Sequence, residues 1–406
     1  MRVLLSSVAP PPGRAGADGL LAVGRRARRR RRSAAVAGVL ALSLASVAGM
    51  SAFGQSRNGS GNGSAGLAPA AARELARPPC TVAPVDLPPS ATSANVNAGS
   101  PSGRFLAGFS SVGNGLATPV RWDGTRAQAI LVNGPAEAKG VNDSGVTVGS
   151  GQGASGRSIA WAYVSGKVIT LPIPPGYTSA EATGINALGE VAGVLFDGAR
   201  TAAARWRDTT ANAQVDVLPA PGRAMGFGIS DSGVVVGGLD DDKGGSAYLW
   251  DAQGLGSRPI APDGFFSPRV SGAQGEWAYG VLSRRTAKSA LPSVTPRRGG
   301  RVEPAPNPAG QTTDSQTVAV AWDLRAGRAT TVSGGDIGAV SSSGEIVINH
   351  DDLTASLRSA DGTSRKLPRL PGADNTYASA VSAGGTQVAG ASGGRPVRWQ
   401  CPAGGR

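Results

Sequence analysis

Apolar and polar residues alternate along this chain in runs of only four to seven positions, and the runs are bounded by Gly, Pro, Asn, Asp or Ser. A period of two over so short a run specifies a half-buried β-strand, and the flanking residues specify tight turns. The stretch around Ile229 shows the pattern: AMGFGIS, the turn DSG, then VVVGG, AYLW and RPIAP, which read as four strands a, b, c and d. The 61 glycines and 29 prolines agree, because both residues suit turns far better than helix interiors. The predicted class is all-β.

The pattern repeats. INALGEVAGV at Ile185 recurs as ISDSGVVVGG at Ile229, with further copies beginning at Val141, Val340 and Val381 and degenerate ones at Val96 and Val270. The starts are separated by 45, 44, 44, 41, 70 and 41 residues, which makes seven units. A Trp ends strand c at Trp122, Trp161, Trp206, Trp250 and Trp399, and at Trp322 after an insertion; the unit at Val340 has Leu357 instead. Strand d often finishes in Leu-Pro, as at Leu171-Pro172, Leu218-Pro219 and Leu367-Pro368, which suits an outer edge where a missing N–H breaks no ladder.

Seven four-stranded units of this size predict a seven-bladed β-propeller over residues 80–402. The chain ends sharpen the prediction. The last unit stops after strand c, whereas Val82 to Pro88 (VAPVDLP) reads as a strand d with no strand c before it. Pairing the N-terminal strand with the C-terminal blade completes the ring. Cys80 and Cys401, the two cysteines, flank those two strands and are expected to form a disulfide in place of the missing hairpin loop.

The units resemble the HAF-repeat family of predicted extracellular repeat proteins, whose units read broadly as A-x-G-I-N-D-S-G-x-V-V-G followed by an A-F-x-W-like strand. The resemblance is carried by GVNDSGVTVG at 140–149, GINALGEVAG at 184–193 and GISDSGVVVG at 228–237, and departs from the pattern at Val96, Val270 and Val340. It implies export and a repeat fold. It implies no activity and no catalytic residue.

Charge changes the picture only in where the protein resides. The formal net charge is +13, but residues 1–52 hold nine Arg against one Asp, and residues 284–317 hold six basic residues against two acidic ones. The remainder is close to neutral, which argues against a nucleic-acid partner. Seven arginines at Arg25, Arg26 and Arg28 to Arg32 precede twenty uncharged residues at 33–52, the order of an export signal. Cleavage near Ser46 and Ala48 gives a secreted product; an uncleaved signal anchor is the alternative, and only then does the chain touch a membrane. Either case predicts an extracellular or extracytoplasmic envelope location. Residues 53–79 are expected to form a flexible linker, and 284–317, rich in Pro and Arg, a disordered b-to-c loop.

Candidate chemistry is sparse. His350 is the only histidine, which argues against a Ser-His-Asp or Cys-His system and against a multi-histidine metal site; no cofactor is implied. In a propeller with strand a innermost, b-to-c and d-to-a loops share one face. On that face fall Asp240, Asp241, Asp242 and Lys243, then His350, Asp351 and Asp352, with Tyr177, Phe265, Phe266 and Tyr377 near strand a. These are the binding-face candidates: a carboxylate cluster for a cation or for acid-base work, and aromatics for stacking on sugar or peptide. The competing reading is that the acids are solvated turns and that the aromatics pack between blades. The DSG turns at 143–145 and 231–233 are assigned to hairpins. The functional expectation is a monomeric, non-enzymatic binding propeller whose partner is an envelope or extracellular protein or glycan. A carbohydrate hydrolase or lyase using carboxylates and a structural envelope protein are the alternatives.

Overall fold

Alternation within each unit produces four antiparallel strands in chain order, and the computed structural model arranges them as seven separate four-stranded sheets. It describes residues 78–112, 116–198, 200–240, 246–259, 261–285 and 315–403. The expected leader, nearly all of the expected linker, and the centre of the basic insertion lie outside the described residues. The fold is a seven-bladed β-propeller. Strands a of blades one to seven are Ser93–Gly99, Ala136–Val141, Ser179–Ile185, Arg223–Ile229, Phe265–Gln274, Gly335–Val340 and Thr376–Val381. Blade seven takes its strand d from Thr81–Pro84, which runs antiparallel to strand c at Arg395–Gln400, with Val82 opposite Trp399. The Cys80–Cys401 disulfide joins the same two strands across a sequence separation of 321 residues, and both cysteines are buried.

A blade has two apolar faces because strand side chains alternate, so each face must meet a neighbouring blade. Seven hydrophobic clusters result, one per interface. Leu171 of blade two packs with Trp206 of blade three, for example, and Leu367 of blade six with Trp399 of blade seven. The cluster holding Ala380 and Ala389 of blade seven with Trp122 of blade one spans the first and last blades.

The strand-c Trp does more than fill volume. In four blades its indole N–H donates to a carbonyl of the preceding blade: Trp122 to Asp86, Trp206 to Pro172, Trp250 to Pro219 and Trp399 to Pro368, at 2.7 to 2.8 Å. This explains the recurrent Leu-Pro. The Leu is buried and its N–H extends the c–d ladder by one bond, as Leu218 does to Ala203; the Pro then ends the ladder and leaves its carbonyl for the indole. Where the residue before the Trp is Arg, it points the opposite way, to the next blade. Arg121, Arg205 and Arg398 donate to the carbonyls of Gly145, Gly233 and Gly103 in the neighbouring a–b turns. An Arg-Trp dipeptide therefore latches a blade on both sides.

Register corrects four readings of the sequence. Trp161 is not the equivalent of the other tryptophans: it pairs with Gly149, and Tyr163 opposite Thr147 holds the Trp position in blade two. In blade six that position belongs to Arg358, opposite Ile346, whereas Leu357 is one residue off and so faces blade seven. A shift of one residue reverses the face, which a sequence alignment of loose repeats does not register. Among the described residues strand d of blade four is Gly256–Ser257, which lies before the expected RPIAP, whose prolines supply no ladder donor. Strands b and c of blade five run to Arg285 and from Ser315, which pair with each other, so the insertion begins and ends inside the expected loop limits.

Two measurements probe this framework. Replacing Cys80 and Cys401 by Ser is expected to lower unfolding free energy by about 2 to 4 kcal/mol in denaturant titration, and intact mass before and after reduction should differ by the two protons of the reduced thiols. Trp206→Phe leaves the Pro172 carbonyl unpaired and should cost roughly 1 to 3 kcal/mol more than Trp161→Phe, because the buried Trp161 N–H has no hydrogen-bond partner to lose.

Candidate functional site

Every strand a carries a register shift at the same place, one extra residue against strand b. The extra residues are Asn97, Lys139, Thr183, Phe227, Ser271, Gly338 and Ser379 in blades one to seven. A bulge leaves backbone groups outside the ladder and re-aims a side chain. Here the preceding carbonyl is taken up by the adjacent blade: Asn97 donates to Ala138, Thr183 to Gly226 and Ser379 to Val96, at 2.6 to 3.0 Å. In blade six, whose bulge residue is Gly338, Asn349 of strand b reaches across to Ala378 instead. In six blades the glycine of the strand-b motif is required at this point, and blade six has Ile348 there. A Cβ on Gly193 or Gly237 would fall on the carbonyl oxygen of Glu181 or Met225, and Gly108, Gly149, Gly280 and Gly390 are placed in the same way.

Inside this ring lies axial space. A cavity of about 360 Å³ lies toward the a–b turns, walled by Asn97, Glu137, Lys139, Phe227, Gln274 and Tyr279 among others. A second, of about 450 Å³, lies toward the opposite mouth and includes Asp336, Tyr377 and Ser271. Lys139 Nζ lies 3.1 Å from Glu181 Oε2, so the amine of blade two is neutralised by blade three. Glu137 brings a carboxylate to the cavity wall and makes no ion pair among the described residues. At the turn end Gln274 donates from blade five to the Val381 carbonyl of blade seven, a chord across the ring. It has this freedom because the a–b hairpin of blade five, with Gln274 opposite Trp277, lacks the longer turn of the other blades.

Tyr279 is the most distinctive wall residue. The position before the strand-b glycine, or before Ile348 in blade six, is Ala or Val in the other blades (Ala107, Val148, Ala192, Val236, Val347, Ala389) and Tyr only in blade five. Its hydroxyl would stand 2.7 Å from a Cβ at residue 272, so Gly272 is what admits it. Burial, with a smaller contribution from Tyr377, pushes the phenol up to about 12.

The sequence-derived candidates are distributed differently. Strand a starts beside the end of strand b, Arg223 opposite Asp240 and Gly335 opposite His350, which puts b–c and d–a loops on one face. Asp240 is exposed, 3.7 Å from Arg223 Nε; Asp241, Asp242 and Lys243 lie outside the described residues. Asp351 is exposed, and Asp352 accepts from the Thr354 hydroxyl and N–H, which holds its carboxyl below the usual range. Tyr177 and Phe265 are half-buried against blade interfaces, each beneath a guanidinium, of Arg200 and Arg284. Phe266 is partly exposed, and Tyr377 alone of the set lines the axial space. The structure does not gather these residues into one cluster. His350 sits at the edge of the interface between blades five and six, with both ring nitrogens engaged. Among the described residues no three His, Cys, Asp or Glu side chains group as metal ligands. The DSG turns are structural: Asp143 accepts from the Ser102 N–H and Asp231 from the Ala187 N–H, each capping the preceding blade's turn.

Sequence reading passed over Glu137, Lys139, Asp336 and Tyr279. A position-by-position comparison of the seven units would have flagged Tyr279. The two acids and the lysine carry no such signal, because their positions vary from blade to blade.

A spectrophotometric titration tests the buried phenol. Tyr279 is expected to ionise late, near pH 12, and that step should vanish in Tyr279→Phe. Because the folded pKa is raised above the unfolded value of about 10, the stabilisation is complete below pH 10 and is lost as pH rises through the folded value.

No family model matches the chain, and no curated protein matches it. Three solved structures similar to it share 12 to 14% of its residues. The Cps50 (Swd1) β-propeller domain of Myceliophteria thermophila is 13% identical, with 79% of this chain and 100% of that chain covered and a TM-score of 0.44. YCF48 bound to D1 peptide is 12% identical, covering 80% and 96%, TM-score 0.44. A chain of the Mitotic Checkpoint Complex is 14% identical, covering 84% and 100%, TM-score 0.45. At this level of likeness none of them bears on activity or partner.

Proposed function

We propose that this chain is an exported binding propeller of the cell envelope or extracellular space, and that its ligand enters the axial cavity. The observation that carries the reading is the wall of that cavity. The Glu137 side chain faces it with no hydrogen bond or ion pair to a neighbouring blade among the described residues, unlike the Trp, Arg and bulge contacts around it, and Tyr279 lines it while also packing against the cluster between blades five and six. A space of about 360 Å³ is at the small end of what ligand sites occupy, which fits one residue of an extended peptide or a small part of a glycan. Export rests on the basic-then-apolar order of the N-terminal residues and is compatible with the disulfide, since such bonds persist outside the cytoplasm. The motif matches at 140–149, 184–193 and 228–237 support placing the chain among the HAF-repeat proteins.

Ser271 lines both axial cavities, so Ser271→Trp should fill the channel while leaving the blade interfaces intact. Peptide and glycan arrays probed with the mature propeller are expected to give a set of bound ligands lost in this variant, at an unchanged melting temperature. Binding that survives the tryptophan would move the site off the axis.

A further inference from the structure

The interface between blades five and six differs from the others. Blade six has Arg358 where the register of other blades places an indole or, in blade two, a phenol. A guanidinium on a flexible stem does not fill the space of a Trp. The outer part of the interface opens into a cleft of about 470 Å³, in which blade five contributes Val332 and Ser333 and blade six contributes His350, Ser356, Arg358 and Lys366.

Within the cleft, His350 Nδ1 lies 2.9 Å from the Gly334 carbonyl oxygen. A carbonyl only accepts, so in the neutral ring Nδ1 carries the proton and Nε2 presents its lone pair. Ser356 Oγ is 2.7 Å from Nε2 and must donate to it. This is a nucleophile, a base and a group that orients the base, with a backbone carbonyl in the place where an Asp commonly stands. The register adds the electrophilic side: Lys366 is directly opposite Ser356, and Arg358 lies two residues along the same strand, so both cations share its face.

We propose that the cleft between blades five and six is a hydrolytic site, distinct from the axial cavity, in which Ser356 is the nucleophile and His350 its general base, acting on esters whose acyl group carries a negative charge. The Ser356 Oγ–H proton passes to His350 Nε2 as Oγ bonds to the ester carbonyl carbon. The oxyanion that forms lies beside Lys366 and Arg358. Its collapse breaks the bond to the alcohol oxygen, which leaves with the proton from Nε2. Water, deprotonated by His350, then attacks the acyl-serine, releasing the carboxylate and returning the proton to Ser356. Ester and water become acid and alcohol, with no other reactant. The two cations select the anionic acyl group.

The test is active-site labelling of the full chain with a fluorophosphonate and, because Ser356 is only slightly exposed, with the smaller phenylmethylsulfonyl fluoride. Peptide mass spectrometry is expected to place the adduct on Ser356, with a labelling rate that rises between pH 5 and pH 8, as activation of the hydroxyl by a base requires. The charged groups flanking His350 are Asp351 and Asp352 in its own loop and Arg358 and Lys366 across the cleft; among the described residues blade five lines the cleft with Val332 and Ser333 and no charged group. His350→Gln should slow labelling on the order of 100-fold or more at an unchanged melting temperature. Hydrolysis of nitrophenyl succinate over nitrophenyl acetate should be preferred, with the preference reduced in Lys366→Ala. If the natively melting chain gives no adduct at Ser356 with either probe, or one whose rate is flat between pH 5 and pH 8, the pair is structural and the proposal falls. The pH profile of the wild-type chain decides the matter should His350→Gln not fold, and neither result bears on ligand binding in the axial cavity.

Discussion

Every other feature of this ring rests on how one blade meets the next. A four-stranded sheet with two apolar faces is stable only between neighbours, and the seven hydrophobic clusters supply that contact. Apolar packing is non-directional, however, and would tolerate blades that slide. Hydrogen bonds fix the angle. The strand-c indole reaches back to a carbonyl behind it, an arginine beside it reaches forward to a turn, and the bulge residue at the axis donates to the next bulge. Arg205 shows the combination: it is 1% exposed, pairs with Asp216 at 3.0 Å, and holds the Gly233 and Ala252 carbonyls of blade four.

This use of residues explains why the repeat is visible and the site is not. In the segment GINALGEVAG, Gly184 lets the adjacent inner strand approach at Gly228, and Asn186 holds its own turn through the Leu188 and Glu190 N–H groups while donating to Ser230. Gly189 adopts a φ of +89°, and Gly193 clears the carbonyl beside the bulge. Each recurrent residue is spent on the ring. Chemistry is left to positions at which the blades differ, such as Tyr279 among alanines and valines, or Arg358 among indoles.

Differences between blades also create the two kinds of space. At the axis, the bulge residues change from Asn to Lys, Thr, Phe, Ser and Gly, so the wall is uneven and polar groups such as Glu137 face the cavity. At the outer rim, an arginine in the place of an indole leaves a cleft at one interface, lined by a histidine and a serine. Both follow from departures within an otherwise repeated frame.

The sequence by itself determined the class, the number of blades, the antiparallel order within each, the strand shared between the chain ends, and the cysteine pairing, because these follow from a period of two and from counting. It did not determine which tryptophans are equivalent. Trp161 matched the spacing of the others yet lies two residues out of register, and Leu357 stood in for a Trp in the sequence while facing the opposite side. Tertiary structure alone decided which side chains reach the axis and which meet between blades. His350 and Ser356 lie six residues apart, but their pairing required a b–c hairpin whose register puts them on one face, and the Gly334 carbonyl of a neighbouring connection to hold the ring. Period-two patterns specify which face a residue takes only once register is known, and register is set by pairing between strands rather than by any one of them.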